Sequence, residues 1–138
     1  MLHIAARAHA AMIGHAYDGL PDEACGLLGG RAGGATVEAF VPCRNADGSS
    51  RTYSIGPDGW RAAEAALDPL GLEVIGVMHT HTHTDAYPSS TDVDRADNPL
   101  LAGWHYVIVS LRDDAPVLRS YLLTDRNIAE EAVVVTGR

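Results

Sequence analysis

Lysine is absent from this sequence of 138 residues, so its ten Lys-or-Arg positions are all arginine, against 18 acidic residues. A formal net charge of -8 disfavours a broad phosphate-binding face, and we therefore expect no nucleic-acid partner. The absence of lysine also excludes Schiff-base chemistry and a lysine general base.

Cysteine is scarce, and long apolar runs are missing. Cys25 and Cys43 are the two cysteines, and they form no C-x-x-C pair, so neither a disulfide framework nor a cysteine-rich zinc knuckle is indicated. No apolar run approaches the roughly 18 residues of a spanning helix. The start of the chain lacks the basic residues and apolar stretch of a signal peptide. We therefore expect a cytoplasmic protein without a membrane association.

No repeat, low-complexity tract or linker divides the sequence, so residues 1–138 are interpreted as one domain. The spacing of apolar residues predicts a helix from Ile4 to Tyr17. Pro57 is suited to the first turn of a second helix through Leu67, which ends at Pro69 or Gly71. A short third helix is expected from Ser89 to Ala96.

Several segments have the composition of strands, and a Gly-rich turn at Gly29–Gly34 separates the first two. The predicted strands are Ala24–Leu28, Ala35–Val41, a short one near Thr52–Ile55, Leu72–His79, Trp104–Leu111, Val117–Leu123 and Ala132–Thr136. The fourth and fifth are near-continuously apolar, as in strands buried on both faces. Helices interspersed with strands predict an α/β fold, a mixed β-sheet flanked by helices.

Two histidines stand two residues apart at the end of a predicted buried strand. The side chains of His79 and His81 therefore point to the same face and can reach one ion. After a turn, the start of a helix brings back the carboxylate of Asp92. Two neutral imidazoles and one carboxylate leave a tetrahedral zinc with an open fourth position, as in catalytic sites. We predict one zinc ion per chain, bound by these three residues.

Each part of this pattern also has a purely structural interpretation. The run from Ser89 to Asp92 fits a helix capping box, in which Asp92 reaches back to the amide of Ser89. The alternating His and Thr residues from His79 to Thr84 also suit a solvated strand end. The combination with an upstream glutamate favours the metal site.

Glu23 is that glutamate, in a segment that leads from a loop into a strand. A carboxylate beside the metal accepts a proton from water and passes it to a leaving amine, which is general acid/base catalysis. Taken alone, Glu23 is better explained as a surface residue. Ser89 is a candidate donor of a hydrogen bond to the oxyanion of a tetrahedral intermediate.

These residues resemble the JAMM or MPN+ (JAB1/MPN/Mov34) zinc metalloprotease family, which includes deubiquitinating enzymes and small bacterial relatives. The family pattern has an upstream Glu, then His-x-His, then Ser and Asp at fixed intervals. This chain supplies Glu23, His79-Thr80-His81, Ser89 and Asp92. The resemblance implies a JAB1/MPN, cytidine-deaminase-like fold, with the two histidines and Asp92 as zinc ligands, Glu23 as acid/base and Ser89 as oxyanion helper.

One departure from the family pattern is visible, because Thr82 replaces the usual Pro and is followed by an extra histidine, His83. We expect a surface role for His83 and an effect on the loop more than on the ligands. Further segments, including Pro21–Gly26, Ala86–Ser89 and His105–Ser110, are similar to the bacterial sulfur-carrier-protein–cysteine peptidases (Mec+-like). That similarity implies hydrolysis after the C-terminal Gly-Gly of a ubiquitin-like sulfur carrier protein, with release of cysteine in cysteine biosynthesis.

An extended Gly-Gly tail suits a narrow groove at a sheet edge, where main-chain hydrogen bonds supply affinity. Asn45, Arg51 and Tyr53 are candidates for lining that groove, although each also fits a surface loop. Cys25 is interpreted as a buried packing residue rather than a nucleophile. Two alternatives stay open: a general isopeptidase of ubiquitin-like conjugates, and a non-catalytic MPN scaffold without metal.

Overall fold

The computed structural model describes residues 1–137, which contain nine strands, three α-helices and two short 3₁₀ turns. In chain order the strands and α-helices are β1 (Leu2–Ala5), α1 (Ala6–Asp18), β2 (Cys25–Gly30), β3 (Thr36–Val37), β4 (Ala39–Cys43), α2 (Pro57–Leu67), β5 (Glu73–His81), α3 (Ser90–Ala96), β6 (His105–Ser110), β7 (Val117–Thr124), β8 (Asn127–Glu131) and β9 (Val133–Thr136). The 3₁₀ turns are Asp68–Leu70 and Pro99–Leu101. Within this part of the chain, no helix has the length and apolarity needed to cross a bilayer.

Six strands form a mixed sheet in the order β4-β2-β5-β6-β7-β8, with β5 and β6 parallel and the other neighbours antiparallel. The strands β3, β1 and β9 form a second, smaller sheet with parallel pairing. The predicted α/β class with helices flanking a mixed sheet is confirmed. The structure divides the strands between two sheets, where the sequence suggested one.

Strand β5 runs through the middle of the large sheet, and its side chains enter two separate hydrophobic clusters. Met78 packs with residues of α1 and the small sheet, whereas Val77 packs with residues of α2 and α3. Because side chains alternate along a strand, His79 and His81 follow Val77 onto the face that carries α2 and α3. This alternation places both imidazoles under helix α3.

Two predicted boundaries near the N-terminus are wrong. The first helix begins at Ala6 rather than Ile4, because Leu2–Ala5 forms a strand whose Leu2 and Ile4 are fully buried. The predicted strand Ala35–Val41 is interrupted at Glu38, whose amide donates to the Gly29 carbonyl at 2.8 Å. The two halves, β3 and β4, consequently join different sheets. Gly29 itself belongs to β2 and not to the predicted turn.

Two further differences concern loops and hairpins. The segment Thr52–Ile55 is irregular rather than a strand, because the side chain of Asn45 satisfies backbone groups of Thr52 and Ser54. Strand β8 was not predicted. It follows a tight turn at Asp125 and Arg126, whose φ angles of 52° and 64° belong to a region that hairpins normally fill with Gly or Asn.

Candidate metal centre and active site

Three predicted ligand atoms converge on one point between β5 and α3. Oδ2 of Asp92 lies 3.1 Å from Nε2 of His79 and 3.1 Å from Nε2 of His81, and the two Nε2 atoms are 3.2 Å apart. A tetrahedral zinc with bonds of about 2.05 Å separates its ligand atoms by about 3.3 Å. The triangle therefore has the size that a zinc ion needs. Among the His, Cys, Asp and Glu side chains of residues 1–137, these three lie close enough together to share one ion.

The protonation of the site also calls for a cation. Nδ1 of His81 lies 2.8 Å from the carbonyl oxygen of Asp85, which only accepts hydrogen bonds, so Nδ1 carries the proton. In the neutral ring, Nε2 then presents a lone pair to the carboxylate oxygen of Asp92. Two acceptors at 3.1 Å repel each other unless a metal ion or a proton lies between them; burial by itself lowers the pKa of His81, but its contact with Asp92 raises it. The donor set therefore fits a metal ion.

Ionisation of the ligands follows from their surroundings. Burial by itself raises the pKa of Asp92, but hydrogen bonds with His79 and His81 hold it well below its usual range, so it is a carboxylate. Burial lowers the pKa of His79, which favours the neutral imidazole that metals bind. Tyr53 stacks on the His79 ring, with centroids 4.3 Å apart and planes tilted by 18°. This contact orients the ring, because Nδ1 of His79 is buried without a partner in residues 1–137.

The capping and metal-site interpretations of the segment Ser89–Asp92 both hold. Ser89 Oγ accepts the Asp92 amide at 3.1 Å, and the Ser89 amide donates to Oδ2 of Asp92 at 2.9 Å. This is the capping box that the sequence allowed. The same Oδ2 atom faces both histidines, so the helix cap itself holds the carboxylate in place. The Ser89 side chain is exposed, and its hydroxyl hydrogen stays free to donate.

Glu23 is only 5% exposed and lies close to the ligands, just before β2. Burial is the main reason that its pKa rises to about 8, and the nearby charge of Asp92 adds to the increase, whereas His81 lowers it. A positive charge held by the ligands favours the ionised carboxylate. A pKa near neutrality suits a group that must both accept and release a proton.

Backbone contacts with β5 hold Glu23 in position. In the antiparallel pairing of β2 and β5, Cys25 lies opposite His79. Ala24 then pairs with Thr80: its amide donates to Thr80 Oγ1 at 2.8 Å, and its carbonyl accepts the Thr80 amide at 3.0 Å. Glu23, the residue before Ala24, consequently lies near His81, whose charge acts on its carboxyl group. The sequence analysis did not assign this role to Thr80.

The three predicted groove residues occupy different environments. Asn45 organises the loop beside Glu23, because its Nδ2 donates to the carbonyls of Glu23 and Thr52 at 3.0 and 2.9 Å. Tyr53 faces the metal centre through the His79 ring. Arg51 is exposed, and its backbone amide donates to Ser49 Oγ at 3.0 Å. The predicted contact of these three residues with a substrate tail therefore stays a prediction.

The loop after β5 separates the extra histidine from the centre. Strand β5 ends at His81, so the alternation that would bring His83 to the same face does not continue. His83 is exposed and lies outside the group that can share an ion. Thr82, at the position of the usual Pro, is buried and donates from Oγ1 to the Ser50 carbonyl at 3.1 Å.

Arg95 was also not predicted as a site residue, yet it ties helix α3 to the loop around the site. Its guanidinium donates to Oδ2 of Asp47 at 3.0 Å and to the carbonyl of Tyr53. Tyr53 is the residue that stacks on His79, so Arg95 connects the helix of one ligand with the ring of another. Because Arg95 and Tyr53 are 42 residues apart in the sequence, no local sequence pattern indicates that they are in contact.

A mixed sheet that presents two imidazoles and a carboxylate to one point, with a buried acid alongside, has the construction of a metal-dependent hydrolase. The comparison with known families agrees. The chain belongs to the prokaryotic homologs of the JAB domain, because that family model matches residues 5–124. The resemblance to JAMM/MPN+ proteins noted in the sequence is thereby confirmed.

Two characterised relatives cover most of the chain. The CysO-cysteine peptidase of Mycobacterium tuberculosis is 42% identical over 130 residues, which span 91% of this chain and 84% of the relative. The desampylase of Haloferax volcanii is 33% identical over 114 residues, which span 79% of this chain and 80% of the relative. Family membership and these relatives identify the chain as a peptidase of the JAMM type.

Solved structures share the fold. A Desulfitobacterium hafniense protein determined in solution superposes with a TM-score of 0.88 at 33% identity and covers 100% of this chain and 94% of its own. A JAB1/MPN domain protein from Archaeoglobus fulgidus gives a TM-score of 0.60 at 18% identity and covers 99% of this chain and 97% of its own. The predicted JAB1/MPN fold is therefore confirmed.

Proposed function

We propose that this chain is a cytoplasmic zinc peptidase that hydrolyses the bond after the C-terminal Gly-Gly of a ubiquitin-like sulfur carrier protein and releases cysteine. The observation that carries the proposal is the triangle of ligand atoms 3.1–3.2 Å apart with the buried Glu23 close by. The 42% identity with a CysO-cysteine peptidase supports the choice of substrate.

In the proposed reaction, the metal and the side chains of the protein have different roles. A zinc ion held by His79, His81 and Asp92 supplies a Lewis acid for the scissile carbonyl and lowers the pKa of water. The carboxylate of Glu23 accepts a proton from the attacking water and delivers it to the departing amine of cysteine. The hydroxyl of Ser89 donates a hydrogen bond to the oxygen that gains negative charge.

The substitution Glu23→Gln tests this assignment. It keeps the shape of the side chain and all three ligands, so the purified variant should retain about one zinc per chain. Turnover of a carrier ending in Gly-Gly-Cys should fall by at least about 10²–10⁴-fold, the usual contribution of general acid/base catalysis. Glu64→Gln, the same change at an exposed position on α2, is the matched control. Undiminished activity of Glu23→Gln would refute the role.

A broader peptidase is the second candidate, and the 33% identity with a desampylase favours it. The two are separated by presenting a carrier ending in Gly-Gly-Cys and a ubiquitin conjugate in parallel and following cleavage by mass. Preferential release of cysteine supports the narrow proposal, and equal cleavage of both substrates replaces it with a general isopeptidase. Protein that binds almost no zinc would instead point to a non-catalytic scaffold.

A further inference from the structure

An apolar pocket of about 170 Å³ lies between α2, α3 and the large sheet. It is continuous with the metal centre, because Asp92 lines the pocket and also faces the histidines. Tyr53 has the same double position, since it lines the pocket and stacks on His79. A group bound in this pocket therefore lies directly beside the proposed scissile bond.

Aromatic and aliphatic side chains form most of the walls of the pocket. Trp60 from α2 and Trp104, just before β6, lie with their ring centroids 5.5 Å apart, and Tyr106 extends the aromatic surface. A cavity of about 150 Å³ with apolar walls accommodates a molecule the size of benzene. The pocket therefore has room for one large apolar side chain.

One residue that lines the pocket has a polar atom without a partner. The Tyr106 side chain is 5% exposed, and its hydroxyl forms no hydrogen bond with any residue in the described range 1–137. Buried hydroxyl groups in proteins nearly always have a hydrogen-bond partner. Because burial raises the pKa of Tyr106 to about 12, the group keeps its proton and is available as a donor. A main-chain carbonyl of a bound peptide would satisfy it.

The proposed substrate leaves few candidates for the occupant. The two glycines have no side chains, and the side chain of the released cysteine has two heavy atoms, which is too small to fill the pocket. The first side chain that can fill it belongs to the residue before Gly-Gly. In an extended tail, its Cα lies about 7 Å from that of the terminal glycine, at about 3.3 Å per residue.

We infer that this pocket selects one apolar side chain, that of the residue preceding Gly-Gly in the carrier tail, and that the hydroxyl of Tyr106 donates to a carbonyl of the same tail. The inference rests on the proposed function for the identity of the tail. Tyr106 is thus a residue that determines specificity. Asp92 and Arg95 both line the pocket with opposite charges, and an acidic side chain is disfavoured chiefly by its loss of hydration.

The pocket contains its own spectroscopic probe. Trp60 and Trp104 are the two tryptophans of the chain, and both line the pocket. Both are partly exposed, so a side chain that displaces solvent from them should shift their emission to shorter wavelength. Fluorescence therefore reports entry into the pocket independently of hydrolysis.

The experiment titrates zinc-loaded Glu23→Gln with eight-residue synthetic tails ending in Leu-Gly-Gly-Cys, Ala-Gly-Gly-Cys or Asp-Gly-Gly-Cys. The leucine peptide should give a saturable blue shift and bind at least tenfold more tightly than the other two. Adding Tyr106→Phe, which removes only the hydroxyl, should weaken binding of the leucine peptide by about three- to tenfold. Tyr17→Phe, at an exposed position on α1, is the matched control and should not change binding.

The outcomes separate the two proposals. If wild-type protein cleaves all three tails with equal kcat/KM, or if Tyr106→Phe binds like its control, the pocket inference is overturned while the peptidase proposal stands. If the leucine peptide binds selectively with the fluorescence change but wild-type protein does not cleave it, the pocket inference is supported and the peptidase proposal fails. Binding without any tryptophan signal also contradicts the pocket inference.

Discussion

Replacement of Thr80, the residue between the two histidines, tests how the fold positions Glu23. Thr80 Oγ1 accepts the amide of Ala24 at 2.8 Å, and Ala24 is 4% exposed. The substitution Thr80→Val preserves the shape of the side chain but removes the acceptor. The amide of Ala24 is then buried without this partner, directly beside Glu23.

The expected effect has two parts. Leaving a buried donor unsatisfied costs about 1–3 kcal/mol. At about 4 °C per kcal/mol for a domain of this size, the Tm of Thr80→Val should fall by about 4–12 °C. A shift of the order of 1 Å in a catalytic group costs about 100-fold in rate. We therefore expect kcat to fall by about 10–100-fold, with KM little changed.

The measurements are Tm by circular dichroism, kcat and KM with a carrier substrate, and zinc content of the purified protein. Zinc should stay bound, because the side chains of His79 and His81 lie on the opposite face of β5 from that of Thr80. Thr80→Ser keeps the acceptor and should restore kcat. Val107→Ala, in the hydrophobic cluster around α1 and the small sheet, serves as a destabilised control with normal kcat. A Thr80→Val variant with full kcat, or failure of Thr80→Ser to rescue it, would refute the reasoning.

Two further predictions concern the metal and pH. Removal of zinc with a chelator should abolish turnover and lower Tm, because a ligand that stabilises the folded state is lost; zinc should restore both, and an unchanged Tm in the chelated protein would contradict the metal site. Burial by itself raises the pKa of Glu131, but hydrogen bonds with His105 at 2.6 Å and Ser120 at 2.8 Å hold it below its ordinary value. The free energy of unfolding should therefore fall as the pH drops below about 4.3 and Glu131 takes up a proton. Glu131→Gln should be less stable at pH 7 and show a flatter decline in denaturant titrations between pH 5 and 3; parallel curves for the two proteins would count against this.

The parts of the site that sequence reasoning could predict are those with a local spacing. His79 and His81 share a face because a strand repeats every two residues, and Asp92 begins a helix with a recognisable cap. The strands β5, β6 and β7 and the helix α2 were predicted to within one or two residues for the same reason. Periodicity and caps depend on neighbouring residues alone.

Where the sequence failed, backbone groups were satisfied by distant partners. The segment Thr52–Ile55 has the composition of a strand. It stays irregular because the side chains of Asn45 and Arg95 form hydrogen bonds with its backbone groups. Leu2–Ala5 extends a helical pattern, but two other strands of the small sheet pair with it. In both cases tertiary contacts outweighed local propensity.

The sequence by itself predicted which residues would hold a metal, because His79 and His81 share one face of a strand and Asp92 lies at a recognisable helix start. Only the tertiary structure decided that Glu23 lies near His81, that Thr80 accepts the amide of the neighbouring Ala24, and that Tyr106 lines a pocket beside Asp92. These relations depend on the register of β2 against β5 and on the packing of α2 and α3 over the sheet. The strand register and the helix packing both depend on the burial of apolar residues that are distant in the sequence. No local sequence pattern specifies which of these residues pack together.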